Sequence, residues 1–355
     1  MKSIKLFFPL LILPFLLSFS PAFGAGSYTV DFMTSPSANV IGPDTDLVHV
    51  ALTVKDDRGN IVPGAYVKFR IHSPPGNPFL STDIPWVENT PLLEYEGYVS
   101  NGILAFDYIF PIRGQYRIDV QAGIDASSLS AKSLPFSIRE NGIDLRNISL
   151  LLTLLLVFGT AAGFIISRGA GGKEPAMAAL TVFFILGMTF FSSVSYAEHC
   201  HHALNAGHVP PLEEQAAADG MTLNLTMNPG AGKVGMLNDL TFSLKDAGGR
   251  PVPDTVFDVT LWHIEDDKPV FSGRLLGKEG SANLNFQFFD GAEHEVRVTA
   301  RHAAGEVRLK RAVEVEAIHP PMVIKIKTMV YFLLVVFSGI ALGFRLQGGV
   351  KLKTA

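Results

Sequence analysis

The chain has 355 residues with 29 basic and 33 acidic side chains, a formal net charge of −4, and 48% hydrophobic against only 17% charged residues. A soluble domain carries about 25% charge, so the composition excludes intrinsic disorder, and the charge balance gives no reason to expect a nucleic-acid partner. A single cysteine, Cys200, excludes an intrachain disulfide.

In chain order, Lys2 and Lys5 precede an apolar run from Leu6 to Phe19, and Ala22 and Gly24 occupy the −3 and −1 positions of a cut before Ala25. This predicts a signal peptide over 1–24, with a retained anchor as the alternative; either one exports the chain from Ala25 onward. Residues 25–142 are expected to form a first exported β-sandwich. Two charge-free runs then predict membrane helices over 147–167 and 176–197, each about 30 Å long at 1.5 Å per residue. Between them the loop 168–175 holds Arg168 and Lys173 and is expected in the cytoplasm. An exported linker (198–219) and a second sandwich (220–317) come next. A third span over 327–345 leaves a cytoplasmic tail, 346–355, carrying Lys351 and Lys353. The outer flanks also carry Arg139, Arg146, Lys325 and Lys327, so the export signal and the parity of spans set the orientation more than the charges do. The second span ends Ser195-Tyr196-Ala197, itself a signal-like cleavage pattern, which reads as a trace of the fusion of two units or as an internal cut.

The two exported segments repeat each other. Lys55-Asp56-Asp57-Arg58-Gly59-Asn60-Ile61-Val62-Pro63 recurs as Lys245-Asp246-Ala247-Gly248-Gly249-Arg250-Pro251-Val252-Pro253. Val50, Leu52 and Val54 match Leu240, Phe242 and Leu244; Val67, Phe69 and Ile71 match Phe257, Val259 and Leu261. Alternation on both sides of an Asp/Gly turn predicts a β-hairpin with one buried face. Further on, Phe106, Tyr108 and Phe110 match Leu284, Phe286 and Phe288, and Tyr116, Ile118 and Val120 match His294, Val296 and Val298. About seven short strands per module, without an amphipathic helix, predict an immunoglobulin-like antiparallel sandwich. The fold class is therefore all-β exported domains plus three transmembrane α-helices.

The Lys-Asp-x-x-Gly-x-x-Val-Pro pattern, over 48–72 and 238–262, resembles bacterial immunoglobulin-like envelope domains of the YtkA and FixH type. That resemblance implies the sandwich fold and, for some relatives, an association with copper or with assembly of respiratory oxidases.

His199, Cys200, His201, His202 and His208 form the one cluster of soft metal ligands. Imidazole and thiolate suit copper, zinc or nickel, and three of the five can converge; the alternative is a polar tail that solvates the helix end. Cys200 lacks the small apolar residues of a lipidation site before it. His263 and His294 have the phase of core residues, Trp262 the opposite phase, and Trp86 falls in a Pro-rich insertion, Pro74 to Pro91, found only in the first module. The Asp44/Asp46 and Asp56-Asp57 pairs read as turn formers rather than calcium ligands. No phosphate loop, dinucleotide fingerprint or catalytic triad motif is present. The expected role is a non-enzymatic integral membrane protein of the inner membrane that binds or positions other envelope membrane proteins. The alternative is capture or delivery of copper, else zinc or nickel.

Overall fold

A computed structural model of the chain describes residues 28–36, 47–76, 84–139, 142–169, 210–318 and 322–353. The export signal, the span over 176–197 and the segment His199 to His208 lie outside the described residues. The first module holds β1 (Thr29–Ser35), β2 (Val48–Lys55), β3 (Tyr66–His72), β4 (Pro91–Tyr98), β5 (Ile103–Tyr108), β6 (Gly114–Gly123) and β7 (Ser130–Ile138), followed by α1 (Gly142–Gly169). The second holds β8 (Leu212–Ala218), β9 (Met221–Asn228), β10 (Gly232–Lys233), β11 (Leu237–Asp246), β12 (Thr255–His263), β13 (Lys268–Gly277), β14 (Ser281–Gln287), β15 (Glu293–His302) and β16 (Gly305–Glu316), followed by α2 (Met322–Lys353).

Strand pairing divides each module into two sheets. In the first these are β1-β2-β5 and β7-β6-β3-β4. In the second they are β8-β9-β11-β14 and β16-β15-β12-β13, with β10 added in parallel at the edge of β16. Alternating apolar residues put Val50, Leu52, Val54, Val67, Phe69 and Ile71 inside at no more than 2% exposure. Rings meet across the sheets of each module: Phe69 with Phe106 at 5.3 Å and Phe32 with Phe136 at 5.9 Å in the first, Phe242 with Phe257 at 6.1 Å in the second.

The Asp/Gly turn corrects the expected hairpin. β2 and β3 belong to different sheets, as do β11 and β12, so the turn carries the chain across the core instead of folding it back. The Asp56 carboxylate accepts the N–H groups of Arg58 (2.9 Å) and Asn60 (2.8 Å), and Asp246 accepts those of Gly248 (2.8 Å) and Arg250 (3.0 Å). Gly59 and Gly249 supply the left-handed backbone, at φ +81° and +75°. Val62 then donates one bond back to the Val54 carbonyl, and Val252 to Leu244, before the chain departs. These backbone hydrogen bonds hold both carboxyls below the usual carboxylate range. A second correction concerns the segment expected as linker up to residue 219: Leu212–Ala218 is strand β8, in antiparallel register with β9, and Glu214 meets Arg311 of β16 at 3.0 Å.

Both described helices are long and apolar enough to cross a membrane, over Leu145–Arg168 and Met322–Gln347. They extend past the ends expected from the apolar runs alone. They lie parallel, joined by glycines. A β-carbon on Gly159 would overlap the Val336 carbonyl and one on Gly163 the Ile340 carbonyl; one on Gly339 would lie 2.5 Å from the Leu156 oxygen, and one on Gly343 would overlap that of Thr160. Small residues four apart let two helix backbones approach this closely in lipid, where dispersion contacts replace the hydrophobic effect as the driving force.

Candidate functional site

The two modules are joined edge to edge. In one layer β5 pairs with β13 through Tyr108↔Phe271, Asp107↔Ser272 and Phe106↔Gly273. In the other, β4 pairs with β14 through Leu93↔Phe286, Glu94↔Asn285 and Tyr95↔Leu284. Each sheet of the first module thereby continues into one of the second, and Tyr98↔Leu276 bridges the two layers between them. Phe271, fully buried, stacks on Phe106 at 5.9 Å and tilts against Phe286 at 6.0 Å, so the aromatic cores of the modules are continuous. Burial of each such ring contributes about 1.5–3 kcal/mol.

Where β5–β13 pairing ends at Gly273, the strands splay and open a cleft of about 360 Å3. One wall carries His49, Ser100, Asn101, Ile103 and Asp107; the other carries Asp258, Ser272 and Arg274. His49 and Asp107 meet at 2.7 Å, and Asp258 lies between Arg274 at 2.9 Å and Arg301 at 2.5 Å. In the other layer aromatic rings stand beside the junction. There Tyr66 and Tyr98 pack edge to face at 5.0 Å, with Lys278 4.2 Å above the Tyr98 ring. Burial, and then the hydrogen bond that Tyr66 donates to Glu96, push the Tyr66 phenol up to about 12. By the internal repeat, Val256 and Leu276 stand where those tyrosines do. The open place offers a cation, carboxylates and amide and hydroxyl groups beside the apolar Ile103, Ala105 and Phe106, the mixed lining of a surface that meets another macromolecule.

His263 and His294 are core residues, as their phase predicts, at 3% and 1% exposure, and their rings meet edge to face at 4.8 Å. Asp266 donates its N–H to His263 Nδ1, which leaves the proton on Nε2, 3.3 Å from the Asp290 carboxylate. His294 Nδ1 donates to the Ala292 carbonyl at 3.1 Å, and burial lowers the ring to about 4. Trp262 lies on the opposite face beneath Arg297, 4.2 Å from the ring center. Among the described residues no group of three or more His, Cys, Asp or Glu is arranged to hold a metal ion. The candidate ligands His199, Cys200, His201, His202 and His208, and likewise Asp44 and Asp46, lie outside the described residues.

Sequence reading missed three features of this region. The edge-to-edge joint left no motif, because its residues are ordinary alternating strand residues. The cleft is assembled from four strands distant in sequence, with His49 of β2, Asp107 of β5, Asp258 of β12 and Arg274 of β13, so no local pattern shows it. The helix contact did leave one: Gly159-x-Ala161-x-Gly163-Phe164 recurs as Gly339-x-Ala341-x-Gly343-Phe344.

No protein-family model matches the chain, and no curated protein does. Solved structures similar to parts of it include the adhesin InvE of Yersinia pseudotuberculosis, with 11% identity over 83% of this chain and 61% of that one, at a TM-score of 0.22. Invasin, a bacterial integrin-binding protein, is 11% identical over 82% of this chain and 40% of its own, at 0.22. The Escherichia coli adhesin FdeC is 12% identical over 82% and 66%, at 0.20. The chain spans less than two thirds of the length of the first two. With TM-scores this low, the architecture rests on the strand pairings.

Proposed function

We propose that the chain is a non-enzymatic, membrane-anchored envelope protein whose two immunoglobulin-like sandwiches, joined as one body, bind other envelope membrane proteins. The observation that carries this reading is the joint itself. Two modules that share both sheets and an aromatic core form a stiff platform, and the opened part of that joint is a cleft of mixed polar and apolar lining rather than a reaction site. The Asp/Gly turn common to both modules keeps a kinship with YtkA- and FixH-type domains as part of the proposal.

The same reading gives the chain three crossings. Two points support it: joined modules lie on one side of a membrane, and α1 and α2 run parallel, both entering it by their N-terminal ends. The connection between them must then return, and the apolar run 176–197 is the segment suited to that. In this arrangement both modules face the periplasm or exterior and the C-terminus the cytoplasm.

A photo-cross-linking residue placed at Asn101 in intact membranes tests the proposal, with exposed Ile124 as the remote position. Discrete adducts are expected from Asn101 and not from Ile124, and Arg274→Glu is expected to remove them without lowering the melting temperature. Recovery of the protein alone from both positions overturns the reading.

A further inference from the structure

The internal repeat extends to the contacts between its copies. Adding 178 to a residue number in β4, β5 or β6 gives its counterpart in β13, β14 or β15: Leu93 becomes Phe271, Tyr108 becomes Phe286, and Tyr116 becomes His294. Applying this exchange to the β5–β13 pairs turns Tyr108↔Phe271 into Phe286↔Leu93, Asp107↔Ser272 into Asn285↔Glu94, and Phe106↔Gly273 into Leu284↔Tyr95. All three resulting pairs are the observed β4–β14 register. The bridge Tyr98↔Leu276 maps onto itself.

The helices obey the same exchange with an offset of 180. Gly159 faces the Val336 carbonyl as Gly339 faces that of Leu156, and Gly163 faces the Ile340 carbonyl as Gly343 faces that of Thr160. Contacts in which i meets j and the counterpart of j meets the counterpart of i are isologous, the kind made by two copies of one surface about a two-fold axis. A tandem array joins one end of a module to the opposite end of the next, and its contacts are not reciprocal.

We infer that each half of the chain, a β module with the helix after it, carries a complete self-association surface whose partner is a second unit of the same kind. The molecule is a two-fold dimer closed within one polypeptide, with its axis along the membrane normal. One asymmetric feature crosses the junction. The insertion between β3 and β4 exists only in the first module; it brings the Trp86 backbone against Gly235 of the second, and Thr90 Oγ1 meets the Gln287 side-chain amide at 3.1 Å. The corresponding β12–β13 connection is only residues 264–267 and makes no such strap. The shared surface drives association, and the strap selects a first-type unit pairing with a second-type unit over two alike.

The test is to cut the connection after folding. The full chain, with a specific protease site inserted between Asn205 and Ala206 and a tag at each end, is purified in mild detergent and cleaved. The two pieces are expected to elute as one species and to be captured by either tag; pieces that separate overturn the inference. In a Cys200→Ser background, oxidation is expected to close Asp107→Cys with Ser272→Cys, and equally Glu94→Cys with Asn285→Cys, each linking the cut pieces on a denaturing gel. Closure of only one of these two related pairs, or of neither, refutes the two-fold relation. Neither result depends on whether an outside protein binds the cleft.

Discussion

Tyr98 pairs with Leu276 across the module junction, and each is the other's counterpart in the repeat. The two-fold axis therefore passes through this bridge. Everything on one side of it has a relative on the other, so differences between relatives mark where the halves were given separate tasks.

Phe271 couples the modules because its ring touches Phe106 of one and Phe286 of the other. Phe271→Ala is expected to cost about 3–5 kcal/mol. Calorimetry of the detergent-solubilized chain is expected to show one β transition for the native protein, displaced as a whole in the variant. Two separate transitions in the native protein would argue against a shared core.

His294 makes the second module acid-sensitive. Its folded value of about 4 lies below the ordinary 6.5, so above pH 6.5 the ring is neutral in both states and contributes no pH dependence. As pH falls from 6.5 to 4 the unfolded chain takes up a proton that the folded chain excludes, and stability declines by about 3 kcal/mol. His263, Asp266 and Asp290 surround the ring, and Phe288 packs on it at 4.9 Å. His294→Tyr, which installs the residue found at Tyr116, is expected to flatten the denaturant midpoint between pH 7 and pH 4.5 relative to the native chain.

Cys200 reports the number of crossings without any substitution. In right-side-out membrane vesicles a membrane-impermeant maleimide is expected to label it from the same side as an Ala126→Cys marker in the exposed β6–β7 turn, placed in a Cys200→Ser background. Labelling only after permeabilization would leave the chain with two crossings and antiparallel helices.

Metal analysis separates the two functional expectations. On the presentation reading, copper or zinc bound per chain does not change when His199, His201 and His202 are replaced by alanine. Loss of one bound equivalent would assign the run to metal capture.

Much of the fold was legible because strand alternation is dictated by burial: Val50, Leu52 and Val54, with Leu240, Phe242 and Leu244, lie inside where their phase put them. The repeat was legible because the Asp56 and Asp246 turns need the same side chains to make the same bonds. The destination of those turns was not. A hairpin and a crossover both begin with a tight Asp/Gly turn, and which one forms is settled by partners distant in sequence, β5 for β2 and β6 for β3. Strand β8 was obscured because Glu213, Glu214 and Gln215 are tolerated at a sheet edge, where charge discourages further pairing. The cleft escaped because its lining comes from four strands distant in sequence, β2, β5, β12 and β13.

A dimer of identical chains must accept every mutation twice, once on each side of its axis. Here Gly273 stands opposite Tyr95 in the repeat, and a β-carbon at Gly273 would press on Phe271 at 2.8 Å. Joining both halves in one polypeptide frees each position to vary by itself, so Gly273 stays bare beside Phe271 while its counterpart carries the Tyr95 ring.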